Sequence, residues 1–170
     1  GKLYLAGDAA LPRDPAAALK WLTYAAELGN QFAQYRLGKL LLKGDDGIPK
    51  GVITAIRWLT AAAKQENGYA EYALALVYLT GEDAPKDSVK ALSLLKRSAG
   101  RGNQFAQYRL GKLLVPGGDA PKDVKAAIRW LTAAAEQGNQ YAQYALGKLY
   151  LLGKEVPKDR SSAIKWFQLA

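Results

Sequence analysis

The chain contains no cysteine, methionine or histidine. Without cysteine a disulfide framework is impossible, and zinc sites built on thiolate or imidazole ligands are excluded. A catalytic triad whose base is histidine is excluded as well. The joint absence is unusual for a natural chain of 170 residues and gives a hint of engineering. The irregularities between repeats described below argue against a pure consensus design.

Long apolar segments and nucleotide-binding motifs are also missing. No apolar run approaches the roughly 20 residues that a membrane span requires, so we expect no membrane insertion. Neither Gly-x-x-x-x-Gly-Lys-Ser/Thr nor Gly-x-Gly-x-x-Gly occurs, and we expect no cofactor. No signal-peptide pattern opens the chain, and its first residue is Gly1 rather than methionine, which suggests a fragment or a processed chain.

What the chain does have is a repeat of about 36 residues. Tryptophans recur at one phase, with Leu94 in the slot between the second and the third of them: Trp21, Trp58, Trp130 and Trp166. Each of the five slots is preceded by a proline: Pro12, Pro49, Pro85, Pro121 and Pro157. Aromatic residues follow the first four slots: Phe32, Tyr69, Phe105 and Tyr141. Such a period is typical of a solenoid, in which one supersecondary unit stacks on copies of itself.

Each repeat is predicted to contain two helices joined by a loop. In one repeat the apolar residues of the first helix, helix A, share a face: Ala33, Leu37, Leu40 and Leu41. Gly44 is placed to end this helix, and Pro49 fits the first turn of the second helix, helix B. Later prolines are followed two residues on by an aspartate that can cap helix B: Asp87, Asp123 and Asp159. Helix B is expected to end near a Gly-Asn pair: Gly29-Asn30, Gly102-Asn103 and Gly138-Asn139.

Small and aromatic residues are best explained by packing. Glycines lie in the middle of three A helices, with Ala75 in the remaining internal slot: Gly38, Gly111 and Gly147. Because glycine in a helix costs about 1 kcal/mol relative to alanine, its repeated use predicts a close approach between helices. The tryptophans are predicted to be interior residues, since aromatics in phase with Ala and Leu usually belong to a core.

At these residues the chain resembles a known family. The pattern Ala-Gln-Tyr-x-Leu-Gly-Lys-Leu-Tyr, Gly-x-x-x-Pro-Lys-Asp, Ala-Ile-x-Trp-Leu and Ala-Ala-x-x-Gly-Asn resembles the Sel-one-like repeat, a longer-loop relative of the tetratricopeptide repeat. The resemblance implies an all-α, right-handed α-solenoid of about five helix-turn-helix repeats, with helix A on the concave side and helix B on the convex side. It also implies an adaptor or scaffold of the kind common in bacteria. More loosely, the sequence Asn-Gln-Tyr-Ala-Gln-Tyr-Ala-Leu-Gly-Lys-Leu-Tyr-Leu resembles repeats at the C-terminal ends of bacterial mobile-element relaxases.

The repeats are expected to form one domain over residues 1–170. Their expected bounds are 1–29, 30–66, 67–102, 103–138 and 139–170, the first and last being partial. Val115-Pro116 predicts that helix A of the fourth repeat stops early. Neither end shows the polar cap that solenoids need, which predicts frayed ends or end-to-end contacts between molecules.

A candidate binding surface lies on the face of helix A opposite Leu37. It carries a tyrosine ladder: Tyr35, Tyr72, Tyr108 and Tyr144. Beside it lies a lysine ladder interrupted by Leu76: Lys39, Lys112 and Lys148. Arg36 and Arg109 add positive charge. Tyrosine and arginine are enriched at interface hot spots, so these residues are the predicted contacts to a partner.

The charge distribution points to the class of that partner. The net charge is +9, from 24 basic and 15 acidic residues. Most acids fall in the loops or the first turns of helix B, and Glu71 is the only acid on the A helices. A positive surface raises the encounter rate with anionic partners. We therefore predict a module that binds a protein or an acidic peptide through the concave helix-A face.

Other interpretations stay open from the residues alone. Exposed lysine and arginine are often only a solvated face, so a structural or engineered repeat module with no dedicated ligand remains an alternative. Alternating tyrosine and lysine could also bind nucleic acid weakly by stacking and phosphate neutralisation. Against nucleic acid stand the acids along the loop edge and the lack of a recognised module. Membrane-surface binding is disfavoured because no helix is strongly basic and amphipathic.

Enzymatic activity is not expected from this segment. Its carboxylates lie in exposed loops, where their pKa values are hard to tune. Two adjacent acidic pairs could hold a weak cation but are interpreted as solubilising loop residues, and no metal site is predicted: Asp45-Asp46 and Glu82-Asp83. The serines have no histidine base. A catalytic domain elsewhere in a parent protein stays open.

Overall fold

In this computed structural model, residues 14–44, 47–115 and 122–170 are described. All regular secondary structure elements of these residues are α-helices. In chain order they are α1 Pro15–Glu27, α2 Gln31–Lys43, α3 Val52–Lys64, α4 Gly68–Thr80, α5 Ser88–Gly100, α6 Gln104–Leu114, α7 Val124–Glu136, α8 Gln140–Leu152 and α9 Arg160–Leu169. The A helices of the repeat are α2, α4, α6 and α8, and the other helices are B helices.

The helices fall into two compact units, Gly1–Asp87 (unit 1) and Ser88–Ala170 (unit 2). Within unit 1, α2 packs against α1 and α3, and α3 packs against α4. Within unit 2, α6 packs against α5 and α7, while α8 packs against α7 and α9. Within each unit, helices that follow one another in the sequence therefore pack together, which confirms the prediction of stacked helical hairpins.

The connection from helix B to helix A is built as the Gly-Asn pairs predict. The asparagine is the N-cap of helix A, and its side-chain oxygen accepts hydrogen bonds from backbone N–H groups of the first turn. Asn30 Oδ1, for example, accepts from Ala33 N at 2.9 Å. The preceding glycine has a positive φ, as in Gly138 at 82°. Glu66 takes this left-handed position between α3 and α4, with φ at 65°.

The prediction that the prolines enter the first turn of helix B was wrong. Pro49 and Pro157 lie before the helix, and α3 and α9 begin at Val52 and Arg160. At Pro157 the aspartate two residues after the proline takes the N-cap position instead, because its carboxylate accepts the N–H of the third helical residue, whereas at α3 Gly51 takes that position without a side-chain cap. Asp159 Oδ1 accepts from Ser162 N at 3.1 Å, which confirms the capping prediction at this position. The slots at Pro12 and Pro121 lie outside the described residues.

Two predicted helix ends are confirmed. Gly44 is the C-cap of α2 with φ at 66°, a conformation that suits glycine. Helix α6 stops at Leu114 after 11 residues, whereas the other internal A helices have 13. Val115 has extended dihedral angles, as expected for a residue that precedes proline. Pro116 itself lies outside the described residues.

The buried face of helix A is rotated from the predicted stripe. Ala33 and Leu37 are buried, but Leu40 and Leu41 are only half-buried. Gln34 takes their place on the buried face. One apolar cluster in the interior of unit 1 comprises Leu22, Ala26, Ala33 and Leu37. The matching cluster in unit 2 comprises Leu131, Ala134, Ala135, Ala142 and Leu146.

The mid-helix glycines lie where a neighbouring helix comes closest. A Cβ on Gly38 would lie 2.6 Å from Leu59 Cγ, and a Cβ on Gly111 would lie 2.6 Å from Leu131 Cγ. On Gly147 it would lie 2.7 Å from the ring of Phe167. These separations are too short for real Cβ contacts, so only glycine fits without a shift of the neighbouring side chain.

The tryptophans lie at the edge of the interior rather than inside it. Trp58, Trp130 and Trp166 are half-buried, and Trp21 is 50% exposed. The position after the tryptophan enters the interior instead, since Leu59 and Leu131 are buried and Leu22 joins the unit 1 cluster. A helical step of about 100° between consecutive residues explains why only one of the two can face the partner helix.

Candidate binding surface on the A helices

The predicted tyrosines form pairs with aromatic residues of the next repeat. In unit 1 the rings of Tyr35 and Tyr69 have centroids 5.8 Å apart, and in unit 2 those of Tyr108 and Tyr141 are also 5.8 Å apart. The interplanar angles are 36° and 33°. Such tilted pairs add stabilisation beyond the burial of their area. The same contact is therefore built twice, once in each unit.

The remaining predicted tyrosines differ from each other in exposure. Tyr72 of α4 is half-buried, whereas Tyr144 of α8 is 58% exposed and packs on Phe167 with ring centroids 5.6 Å apart. Tyr141, which pairs with Tyr108, is 71% exposed. The tyrosine ladder thus presents ring surface to solvent while one side of each paired ring is held by a neighbour.

The cations predicted beside the tyrosines all lie in solvent. Arg36, Lys39, Arg109, Lys112 and Lys148 are exposed. No ion pair within the described part of the chain involves any of them. Their positive charge is therefore not compensated by a direct contact to a described acid.

Two clefts bring these residues together within single units. In unit 1, Tyr35, Arg36, Lys39 and Lys43 line a cleft of about 240 Å³. In unit 2, a cleft of about 390 Å³ is lined by α6, α7, α8 and the loop after α8. Four predicted contact residues lie in the second cleft: Tyr108, Lys112, Tyr144 and Lys148. Tyr72 and Arg109 line neither of these two clefts.

Buried glutamines hold the A helices in place, and the sequence analysis missed them. Gln107 Nε2 donates to the carbonyl oxygen of Ala99 at 3.1 Å, and its Oε1 accepts from Gln137 Nε2 at 2.8 Å. Gln34 bonds Ala26 and Gln65 in the same way, at 3.0 and 2.8 Å. Each of these glutamines therefore ties helix A to the ends of two B helices.

A repeated signal in the sequence could have revealed these bridges. Glutamine recurs one residue before the predicted tyrosine in three A helices: Gln34, Gln107 and Gln143. Gln143 Nε2 donates to Ala135 O at 3.0 Å. Glu71 occupies the corresponding position of α4 and is fully buried. A polar residue that repeats next to a half-buried tyrosine indicates a buried hydrogen bond, because an unpaired buried amide would be costly.

Two ion pairs each connect the loop between helix A and helix B of one repeat with the same loop of the next repeat. Lys50 Nζ lies 2.6 Å from Asp83 Oδ1 in unit 1, and Lys122 Nζ lies 2.6 Å from Glu155 Oε2 in unit 2. Asp83 and Glu155 occupy equivalent positions in their repeats. Asp83 is thus bound to a lysine, while Asp45 and Asp46 lie outside the described residues. No group of metal-ligating side chains occurs within residues 14–44, 47–115 and 122–170.

The carboxylate of Asp159 is tuned by its capping role. Hydrogen bonds from the Ser162 hydroxyl at 2.6 Å and from the Ser162 backbone N–H hold the pKa of Asp159 below its ordinary value. This shift belongs to a helix N-cap and creates no acid–base pair.

Within the part of the chain that the structure describes, no helix is long and apolar enough to cross a membrane.

Stacked two-helix repeats with an exposed face of aromatic and basic residues define an α-solenoid of the interaction-module class. The Sel1 repeat model matches the chain five times, over residues 1–30, 31–67, 68–103, 104–139 and 140–170. Each internal boundary falls one residue after the predicted one. The chain belongs to the Sel1 repeat family, whose members are in general non-enzymatic protein–protein interaction scaffolds.

Solved structures of other proteins are similar to this chain. A Sel1 repeat protein from Oxalobacter formigenes is 33% identical, with a TM-score of 0.87 over 98% of this chain and 48% of that one. A protective antigen present in uropathogenic Escherichia coli strains, which displays an SLR fold, is 33% identical, with a TM-score of 0.83 over 89% of this chain and 32% of that one. The chain therefore spans from about a third to about half of these two proteins.

A more distant structure shares the fold alone. Helicobacter pylori cysteine rich protein B is 24% identical, with a TM-score of 0.59 over 76% of this chain and 92% of that one. A search of curated protein sequences finds no match.

Proposed function

We propose that the chain is a non-enzymatic module that binds a peptide or protein through the face of its A helices. The observation that carries this proposal is the pairing of partly exposed tyrosines with exposed cations on the same helices. Tyr108 and Lys112 lie one turn apart on α6 and line the same cleft. Rigid aromatic rings bury area at low entropic cost, and cations beside them add charge complementarity to an acidic partner.

The arrangement of the rings supports a binding role over a purely structural one. A tyrosine that served only the interior would be covered, yet Tyr144 and Tyr141 remain more than half exposed. Each of these rings packs on a neighbouring ring, and Gln143 on the same helix is anchored by its hydrogen bond to the Ala135 carbonyl oxygen. A surface that is ordered before the partner arrives loses less conformational entropy on binding.

A displayed-peptide selection tests the proposal. The unmodified chain is used for selection, and a variant with Arg36, Lys39, Arg109 and Lys112 changed to Ala is used for counter-selection. These side chains are exposed, so we expect the variant to fold, with circular dichroism as the check. Enrichment of peptides that fail to bind the variant supports the helix-A face as the binding surface.

A matched variant controls for the loss of net charge. In it four exposed lysines of the B helices are changed to Ala: Lys20, Lys64, Lys125 and Lys165. Both variants lose the same charge, so only a specific surface distinguishes them. Selected peptides should retain binding to the B-helix variant and lose it with the A-helix variant. Equal loss in both, or no enrichment at all, would leave an inert repeat module as the better description.

A further inference from the structure

The cleft of unit 2 combines an apolar floor with a basic rim. Its volume of about 390 Å³ lies within the range of about 300–1,000 Å³ typical of ligand sites. Leu131, Leu149 and Ala145 contribute apolar surface to its lining. Such a floor suits one bulky apolar side chain of a partner, because transfer of that side chain from water to the cleft is favourable.

The rim of this cleft carries more positive than negative charge. Lys112, Lys148 and Lys154 line it and are exposed, with Glu155 as the single acid of the lining. Glu155 binds Lys122 at 2.6 Å, so its charge is already matched by a lysine that does not line the cleft. In the described residues no ion pair uses any of the three rim lysines. Carboxylates next to the apolar side chain of a partner would therefore find positive charge on several sides.

The repeat itself supplies an internal comparison in unit 1. When the sequence is shifted by two repeats, unit 1 has the same two tyrosines and one lysine as unit 2. Tyr35, Lys39 and Tyr72 correspond to Tyr108, Lys112 and Tyr144. The rest of the rim differs, because Leu76 replaces Lys148 and Glu82 replaces Lys154. Unit 1 therefore repeats the aromatic part of the site with a rim in which one lysine, Lys39, is offset by one acid, Glu82.

We infer that the unit 2 cleft is a site for an acidic peptide segment in which one bulky apolar residue is flanked by carboxylates, and that unit 1 does not share this specificity. The inference rests on the proposed function and deepens it by naming the chemistry of the partner. A peptide fits better than a nucleic acid strand, since the apolar floor of the cleft suits an aliphatic side chain, whereas a strand would bring a charged phosphate with every nucleotide.

The test uses the full chain and two synthetic peptides with a central leucine, one flanked by glutamates and one by glutamines. Binding is measured by fluorescence anisotropy, and the contacted residues are mapped by amide chemical shifts. We expect the glutamate peptide to bind more tightly and to shift residues of α6 and α8. Binding that maps to α2 and α4, or no binding of the glutamate peptide, overturns the inference. The peptide selection described above decides the proposed function separately.

Exchange of rim residues between the units sharpens the test. The double variant Lys148→Leu with Lys154→Glu places the rim residues of unit 1 in unit 2. We expect it to weaken the binding of the glutamate peptide by about tenfold. The matched control Lys125→Leu with Lys165→Glu makes the same charge change on exposed B-helix positions and should leave binding unchanged. Equal weakening by both variants would show that only net charge matters and would overturn the inference.

The reverse exchange and a competitor complete the experiment. Leu76→Lys with Glu82→Lys gives unit 1 the basic rim and should add a second, weaker site for the glutamate peptide. Single-stranded oligo(dT) serves as the nucleic acid competitor. If oligo(dT) binds more tightly than the peptide and depends in the same way on Lys148 and Lys154, the cleft is a nucleic acid site and the peptide inference is wrong.

Discussion

Units 1 and 2 share their interior contacts and differ in the residues around them. The glycine-to-leucine approach, the glutamine bridge, the tyrosine pair and the loop ion pair occur in both units at nearly the same distances. The rim of the tyrosine site differs, with Leu76 and Glu82 in unit 1 and Lys148 and Lys154 in unit 2. The start of helix B differs too, since α3 begins after Gly51 without a side-chain cap while α7 begins after Asp123.

The difference shows which positions packing restricts and which it leaves free. A residue such as Gly111 cannot change without a shift of Leu131, and Gln107 cannot change without loss of two hydrogen bonds. Exposed positions such as 148 and 154 carry no such restriction, so each repeat can present its own chemistry on a shared framework. Specificity in this chain is therefore expected at the exposed positions that differ between units.

The largest predicted effect tests whether the glycine-to-leucine contact is equivalent in both units. Leu131→Ala should cost about 3 kcal/mol of unfolding free energy by opening a cavity. Gly111→Ala should cost about 1 kcal/mol, because overpacking outweighs the helix propensity of alanine. The double variant should lose less than the sum, since the new Cβ fills part of the cavity. Leu59→Ala and Gly38→Ala in unit 1 should behave alike. Urea unfolding followed by circular dichroism measures the four single variants and the double variant, and strict additivity would contradict the close approach.

The next effect concerns the glutamine bridge. Gln107→Ala and Gln34→Ala should each cost about 2 kcal/mol, because each change removes two hydrogen bonds from a buried site. Gln143→Ala should cost less, since Gln143 Oε1 accepts no hydrogen bond in the described residues. Thermal unfolding of the three variants, with exposed Gln140→Ala as the control, gives the comparison. Equal losses for all three bridge positions would argue against the second hydrogen bond.

A smaller effect concerns the left-handed residue between helix B and helix A. Gly102→Ala should cost about 1 kcal/mol, because its φ of 85° disfavours any Cβ. Gly100→Ala is the matched control: neither added Cβ would meet a heavy atom within 4 Å, but Gly100 has no positive φ. This control should be neutral or stabilising, as alanine favours helix over glycine. Equal stability of the two variants in urea unfolding would contradict a backbone origin of the glycine requirement.

The smallest effect is the pH dependence of a helix cap present in unit 2 and lacking at α3 in unit 1. Because folding lowers the pKa of Asp159 below 3.8, its capping contribution is present above that pH and is lost as pH falls through the lowered pKa. Ser162→Ala removes the hydroxyl donor, so the pKa should rise towards 3.8. Carboxyl-carbon NMR titration of both proteins measures the shift. An unchanged pKa of Asp159 in the variant would rule out the Ser162 hydroxyl as the main cause of the lowered pKa.

Local features of this chain could be predicted from the sequence because their causes are local. The Gly-Asn connections and the early end of α6 before Val115 follow from backbone preferences within a few residues, and the period near 36 residues is visible directly in the recurring residue types. The tyrosines and lysines of helix A could also be assigned to one face from their spacing, since helical geometry fixes which residues are neighbours.

The tertiary structure decided what depends on the neighbouring repeat. The burial of Gln34, the pairing of Tyr108 with Tyr141 and the half-exposed position of Trp21 follow from the rotation of one helix against the next. That rotation is set by contacts between residues about 30 positions or more apart, such as Gln107 with Gln137. The spacing of residues within one helix does not specify this rotation. The sequence period therefore determined the repeat, while packing between repeats decided which side chains reach the surface and form the cleft.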